Sequence, residues 1–383
     1  MYQFYKYRYQ LLTYVLICRI IGFMSSFNPF QPYNTLPLLP PDLAKTETIA
    51  ILKQETNAAA ALAELKGLAN IIPNQAILIN AIVLQEAKDS SEVENIITTR
   101  DELYKALSTT IKKYDPATKE VMYYREALNE GFQKVSQRHL ISLSDILHLQ
   151  QTIVKNDAGI RKLPGTALVN DTTEEVIYTP PDGEAILQTL MANFMEYLNN
   201  DERSLTKLAI LHYQFESIHP FYDGNGRTGR IINILYLLLK EYLDIPILYL
   251  SSYIIKNKSM YYKLLHDVTS EGAWEPWILF MLKGIEETSH ETLLKIKHIK
   301  ELLELTIEKV REQASKIYSK ELVETLFVNP YCKVEFITKS VGVERKAASR
   351  YLHQLADIGV LAVYKVGKEN IFINSTLIDI LKQ

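Results

Sequence analysis

Between two long apolar patterns of helical period the chain inserts "IHPFYDGNGRTGR", residues 218–230, which holds one proline, three glycines and two arginines. Upstream, "LTKLAILHYQFES" places apolar residues at helical spacing, and downstream "IINILYLLLKEYL" does the same. Pro220 removes a helical N–H and clashes with the preceding turn, so the first helix must end near His219. Gly224, Gly226 and Gly229 then fall in a tight loop and at the first turn of a second, buried helix, whose apolar pattern restarts after Arg227–Arg230. This helix–turn–helix unit organises the rest of the chain.

A turn of this kind leaves backbone N–H groups unpaired, with the positive end of a helix dipole behind them. It is a natural seat for an anion, phosphate above all. Arg227 and Arg230 stand three apart and fall on neighbouring positions of one helix face, where both can reach one polyphosphate. Asp223 offers a hard oxygen ligand for Mg²⁺ at the mouth of the loop. His219 can act as a general base beside a bound phosphate. Anion cradle, metal ligand, positive clamps and base together make up the equipment of phosphoryl or nucleotidyl transfer. Each part alone is common in proteins, and the weight lies in the combination. The stretch is not a Walker A loop, and it follows a helix where a dinucleotide fingerprint follows a strand.

Composition sets the frame around this unit. A chain of 383 residues, 47% hydrophobic and 23% charged, can bury a large core in two or three domains. Its net charge of -3 argues against a protein that coats polyanions, while leaving room for one basic face. The two cysteines, Cys18 and Cys332, lie far apart without metal-ligand spacing, which suggests a cytoplasmic protein with neither a disulfide framework nor a zinc site. Residues 1–23, "MYQFYKYRYQLLTYVLICRIIGF", carry Arg19 inside an apolar run too short to span a membrane, which takes roughly 20 residues. They read as an upstream extension, with translation starting at Met24.

Past Pro41 the pattern is mainly α. Helical spacing recurs over 46–70, 183–199, 205–218 and 230–243, and 276–316 reads as one or two connecting helices. The exception is "TALVNDTTEEVIYTPP", where two β-prone runs flank an Asn-Asp-Thr-Thr turn and predict a β-hairpin. The expected organisation is an N-terminal helical region over 24–115, a catalytic core over 116–285, a connecting helix over 286–317 and a small α+β domain over 318–383.

"HPFYDGNGRTGR" resembles the signature of the Fic family, H-P-F-x-D-G-N-G-R-x-x-R, at every fixed position. The resemblance extends to "LPGTALVND" and "IYTPPDGEAILQTLMANFMEYLNN", similar to the family's flap hairpin and the helix after it, and to the helices of 247–282. It implies a helical core with a β-hairpin flap, and an enzyme that moves AMP from ATP to a hydroxyl of a target protein. Carried onto this chain, the resemblance implies that His219 deprotonates the hydroxyl and Asp223 holds Mg²⁺. Residues 224–230 would bind ATP: Gly224, Asn225 and Gly226 cradle the phosphates, with Asn225 on the α-phosphate, flanked by Thr228 and Gly229. Arg227 would meet the β-phosphate and Arg230 the γ-phosphate. Phe221 would anchor the loop, Tyr261 would pack near the nucleotide, and Ile177, Tyr178 and Thr179 would pin a target segment by β-augmentation. Automodification and a homodimer are further implications of the resemblance, and a related phosphate moiety could replace AMP.

A second motif lies upstream. In "SSEVENIITTRDEL", residues 90–103, Ser90 and Glu94–Asn95 resemble the inhibitory pattern [S/T]-x-x-x-E-[G/N] of Fic proteins that carry their own inhibitor. There Glu94 would pair with Arg230 and displace the γ-phosphate; it could also orient a water for AMP removal. The alternative for these residues is the start of a helix, with an N-terminal cap and acidic residues favoured by the dipole. Beyond 318, the spacing predicts a helix, a turn at Gly342, a second helix and two strands around Gly367, a winged helix-turn-helix pattern. Arg345, Lys346, Ser349, Arg350 and His353 stud its second helix as DNA contact would require, and a packing or protein-binding domain fits equally. A nucleotide-sensing DNA-binding regulator is therefore the alternative function.

Overall fold

A computed structural model describes residues 27–108, 114–169, 174–366 and 369–382. Residues 1–23, the Asn-Asp-Thr-Thr turn and Gly367 lie outside them. Helices dominate, and local sequence fixes their starts. The first two are α1 (Leu43–Thr46) and α2 (Ile49–Ala69), the latter capped by the Thr48 hydroxyl on Ile51 N–H at 3.3 Å. After α3 (Ala76–Val93) and α4 (Arg100–Ser108), Asp115 caps α5 (Pro116–Arg138), whose proline sits where a missing N–H costs nothing. A reciprocal Ser142–Asp145 capping box opens α6 (Leu143–Val154). The expected hairpin is present as β1 (Leu168–Val169) and β2 (Val176–Tyr178), antiparallel with Leu168 opposite Tyr178.

Four more helices follow the hairpin: α7 (Glu184–Asn199), α8 (Leu205–Ile218), α9 (Asn225–Leu239) and α10 (Ser251–Lys256). Every residue of α8 except Glu216 is buried, and α9 is nearly as enclosed, so this pair forms the centre of the molecule. α9 starts at Asn225 with Gly224 just before it, so Gly226 falls in its first turn, as expected, and the apolar spacing over 230–243 begins only after this polar start. Its first turn is built from the polar loop residues themselves, which hydrophobic periodicity does not register. α11 (Lys258–Glu271) leads to α12 (Trp274–Gln313), one unbroken helix of 40 residues. At 1.5 Å per residue it runs roughly 60 Å. It packs on α2 and α8 and crosses the boundary expected at 285/286, so no break in secondary structure divides core from connector.

The C-terminal unit comprises α13 (Lys320–Val328), β3 (Tyr331–Cys332), α14 (Val334–Val341), α15 (Arg345–Asp357), β4 (Ala362–Val366), β5 (Glu369–Ile373) and α16 (Ser375–Lys382). Gly342 ends α14 in the left-handed region at φ 73°, as the turn required. The strands form an antiparallel sheet in the order β3-β5-β4. This unit is tied to the N-terminal helices: Asn74 donates to Glu324 at 3.1 Å, Asn80 to the Val328 carbonyl at 3.3 Å, and Tyr331 to Asp101 at 2.8 Å.

Candidate functional site

His219 terminates α8 in the left-handed conformation, φ 48°, with its N–H on the Phe215 carbonyl at 3.0 Å. That conformation costs a side-chain-bearing residue about 1–2 kcal/mol, and the surroundings hold it there. Arg161, 1% exposed, donates from Nε to the His219 carbonyl at 2.8 Å, and from Nη2 to the carbonyls of Ile218, at 3.2 Å, and Pro181. One side chain thereby ties the end of α8 to the foot of the hairpin. The His219 Nδ1 faces the Glu216 carbonyl at 3.4 Å, which leaves Nε2 without a partner among the described residues. Burial pushes the imidazole's pKa down to about 4, so the ring is neutral at neutral pH and its free nitrogen can accept a proton.

The loop beyond is equally fixed. Asn225 accepts from Phe221 N–H and donates to the Phe221 carbonyl, both at 2.8 Å, while Phe221 is fully buried. The Asn225 amide is thus committed to the loop, and its backbone N–H is what it presents outward. Gly224 precedes α9 at φ 80°, and a Cβ there would lie 2.8 Å from Val154 Cγ1. Among the described residues no acceptor meets the N–H groups of Asn225, Gly226 and Arg227, so the N-terminus of α9 is open to an anion. Asp223 stands at its edge with two-thirds of its side chain exposed, one oxygen accepting from Gly224 N–H at 2.6 Å. A single exposed carboxylate suits Mg²⁺, which keeps waters and takes substrate phosphates as ligands more readily than an all-protein cage. Thr228 and Gly229 lie inside the turn, Thr228 fully buried.

Both arginines are buried and both meet carboxylates. Arg227 bonds Glu120 at 2.7 Å and Asp223 at 3.3 Å. Arg230 donates from Nε to the Ser90 hydroxyl at 2.8 Å, and from Nη2 to the Ser90 carbonyl at 2.8 Å and Glu94 Oε1 at 2.7 Å. Glu94 therefore reaches Arg230 from the C-terminal end of α3, so the site is assembled from both sequence motifs. A Cβ on Gly226 would fall 2.2 Å from Glu94 Oε1, so the carboxylate lies directly on the first turn of α9. Burial alone would raise the Glu94 pKa, but the Arg230 guanidinium outweighs it and holds it below the usual carboxylate range. Burial likewise works against the Arg230 charge, and Glu94 more than restores it.

Other expected residues divide. Tyr261 is 2% exposed, its hydroxyl on His212 at 2.9 Å, and it forms floor beneath Arg230 with no open face for a ligand. In the hairpin, Ile177 is exposed, whereas Tyr178 is buried with its hydroxyl on the Ser217 carbonyl at 2.7 Å. The Thr179 carbonyl accepts from Tyr33 N–H at 3.0 Å, so the chain's own N-terminal segment fills that position of the edge. Sequence reasoning missed Arg161, Glu120 and Gln150, the last donating to the Asp223 carbonyl at 3.1 Å. No spacing rule singles them out, because each acts across a distant loop. It also missed Glu216, whose Oε1 is buried without a hydrogen-bond partner and lies against Gly229; burial pushes its pKa up to about 7.

Three successive stretches match known families: residues 52–133 the Fic/DOC family N-terminal region, 140–237 the Fic/DOC family, and 302–377 the C-terminal domain of protein adenylyltransferase SoFic-like. Protein adenylyltransferase fic-1 of Caenorhabditis briggsae is 29% identical over 156 residues, 39% of this chain and 28% of that protein. Protein adenylyltransferase Fic of Drosophila mojavensis is 28% identical over 156 residues, 40% and 29% respectively. The chain thus spans under a third of the length of these curated relatives. A Fic family protein from Desulfovibrio desulfuricans G20 shares the fold, with a TM-score of 0.55 at 18% identity over 90% of this chain and 98% of that one. Together with the complete loop signature and its geometry, these matches show that the chain carries Fic/DOC N-terminal and core domains and a SoFic-like C-terminal domain.

Proposed function

We propose that the protein moves AMP from ATP to a Ser, Thr or Tyr hydroxyl of a target protein or of itself, and that Glu94 holds this activity down. The observation that carries the reading is the neutral His219, with Nε2 free, beside the open N-terminus of α9 and two buried arginines. His219 Nε2 takes the hydroxyl proton as the oxygen attacks the α-phosphorus. The bond from that phosphorus to the bridging oxygen breaks, and pyrophosphate leaves. The N–H groups of residues 225–227 face the charge that develops on the phosphates. Mg²⁺ held by Asp223 would neutralise part of the polyphosphate charge. Arg227 and Arg230 clamp the β- and γ-phosphates once released from Glu120 and Glu94.

In the arrangement described, Glu94 puts a carboxylate where the γ-phosphate would bind, and like charges exclude each other there. In this reading Glu94 has a second role, orienting a water that attacks the adenylyl phosphorus so that AMP leaves and the hydroxyl is restored, a hydrolysis at the same centre. The test is incubation with ATP labelled at the α-phosphate, followed by mass spectrometry of the labelled protein. The account requires the mass of an adenylyl group on a hydroxyl residue. A bare phosphate, or no adduct with Glu94→Gly, contradicts it.

One observation supports a second role for the C-terminal unit. Arg345, Lys346, Arg350 and His353 are exposed along α15, with Ser349 beside them, as a nucleic-acid contact needs. A gel shift that weakens steeply with salt would support DNA as its partner.

A further inference from the structure

α3 carries Ser90 and Glu94 at one end, and its other end rests on the C-terminal unit across a cavity of about 210 Å³. Ala81, Leu107, Phe327 and Phe336 give the cavity apolar walls. The rings of Tyr104 and Tyr331 stack at its side, 5.2 Å apart and 8° from parallel. Into this lining the fold brings one cation, Arg125 of α5. Its Nη2 donates to Asn80 Oδ1 at 3.1 Å, its Nε is buried without an acceptor, and Nη1 has none among the described residues. Among the described residues no carboxylate pairs with it. Glu321 and Glu324 line the neighbouring, outer depression, where Lys320 approaches Glu324 at 3.6 Å and Asn74 occupies its other oxygen. Asp101 is taken by Tyr331.

A half-buried guanidinium without a counter-ion beside apolar walls is costly, and burial already works against its charge. Buried arginines elsewhere in this molecule are matched by carboxylates or by several carbonyls. We infer that the cavity is a binding site for a small carboxylate with a flat apolar body, its carboxylate on Arg125 and its ring against Tyr104 and Tyr331. Such a group supplies the missing acceptors in the planar geometry that guanidinium favours. The cavity is smaller than the roughly 300–1,000 Å³ of sites for drug-sized ligands, which limits the occupant to about one ring. Because Asn80 and Ala81 belong to α3, the occupant touches the helix that delivers Glu94, and its binding is linked to the position of that helix. This linkage rests on the proposed inhibitory role of Glu94; the binding site does not.

Benzoate is the probe. Calorimetry on the full chain should show saturable binding in the millimolar range or tighter, weakened at least tenfold by Arg125→Met and by Ala81→Leu, which fills the cavity. A thermal melt of each variant verifies that it is folded. The absence of saturable binding to the wild type below about 10 mM, or equal binding by both variants, overturns the site. Benzoate should also change the self-labelling rate of the wild type at least threefold and leave Glu94→Gly unaffected. Binding without any change in the wild-type rate overturns the linkage. If Glu94→Gly labels no faster than wild type without benzoate, the inhibitory reading itself has failed, and calorimetry still decides the site.

Discussion

α9 and α15 carry the same type of side chain and treat it in opposite ways. Arg227 and Arg230 are buried on α9 and bonded to Glu120, Asp223, Ser90 and Glu94. Arg345 and Arg350 are exposed on α15. Burying a guanidinium costs several kcal/mol unless its donors are met, so the α9 arginines constrain what surrounds them. Those on α15 cost nothing to keep and constrain little. A buried charge whose partners come from distant segments marks a site where an occupant has to compete. A solvated charge marks only a surface.

The largest effect should come from the α9 side. His219→Ala should lower AMP transfer by about 10²–10⁴-fold while ATP binding persists. A labelling assay beside equilibrium binding reads both, and undiminished labelling would remove His219 as base. The folded pKa of about 4 lies below the usual 6.5, so the ring is already neutral at pH 7. In the Glu94→Gly background the rate should stay level from pH 8 to about 5.5 and fall only as pH drops through about 4. A break near 6.5 would mean that the ring is not desolvated.

Next in size is Arg161. Replacing it by Ala leaves the carbonyls of Pro181, Ile218 and His219 short of a donor, for a loss of about 3 kcal/mol in urea unfolding. A loss under about 0.5 kcal/mol would show that the loop holds itself. Smaller again is Glu86, fully buried on α3, which accepts from Tyr124 at 3.0 Å and from Ser251 N–H at 3.0 Å. Burial pushes its pKa up to about 7, so the folded state keeps a proton that the unfolded chain releases near 4.5. That stabilisation is fully present below about 4.5 and is lost as pH rises through about 7. The stability gap between wild type and Glu86→Gln should therefore shift by on the order of 2 kcal/mol between pH 5 and pH 8, in favour of the variant at pH 8. A pH-independent gap contradicts this. Smallest is the α15 change: Arg345, Lys346 and Arg350 together replaced by Ala should alter stability by less than about 0.5 kcal/mol and leave self-labelling unchanged. A larger change would mean that the exposed face is coupled to the core.

The same contrast explains what the sequence could convey. The turn at 218–230, the hairpin and the Gly342 turn were legible because proline, glycine and alternation act locally, on residues next to them. Glu94 was legible only through family resemblance. Its local pattern suggested the capped start of a helix, whereas the structure places Glu94 at the C-terminal end of α3, where a carboxylate opposes the helix dipole, so the capping alternative is overturned. Arg161 and Glu120 were not legible because their partners lie far along the chain, and Glu216 was not because helical period does not separate it from its neighbours on α8. The polar first turn of α9 was legible from Pro220 and the glycines, although its apolar spacing begins only after it. Tyr261, expected from the resemblance to pack near a nucleotide, is buried with its hydroxyl on His212, a partner no spacing rule predicts.

The central claim is that Glu94 inhibits through Arg230, and self-labelling from ATP labelled at the α-phosphate tests it across four proteins. Glu94→Gly should label at least tenfold faster than wild type, since each ~1.4 kcal/mol removed from the barrier is a factor of ten. Arg230→Ala should show no such gain, and the double variant should match Arg230→Ala alone because the two residues act as one contact. Equal rates for wild type and Glu94→Gly under saturating Mg²⁺ and ATP would contradict the account and leave the Glu94–Arg230 pair as a structural contact alone.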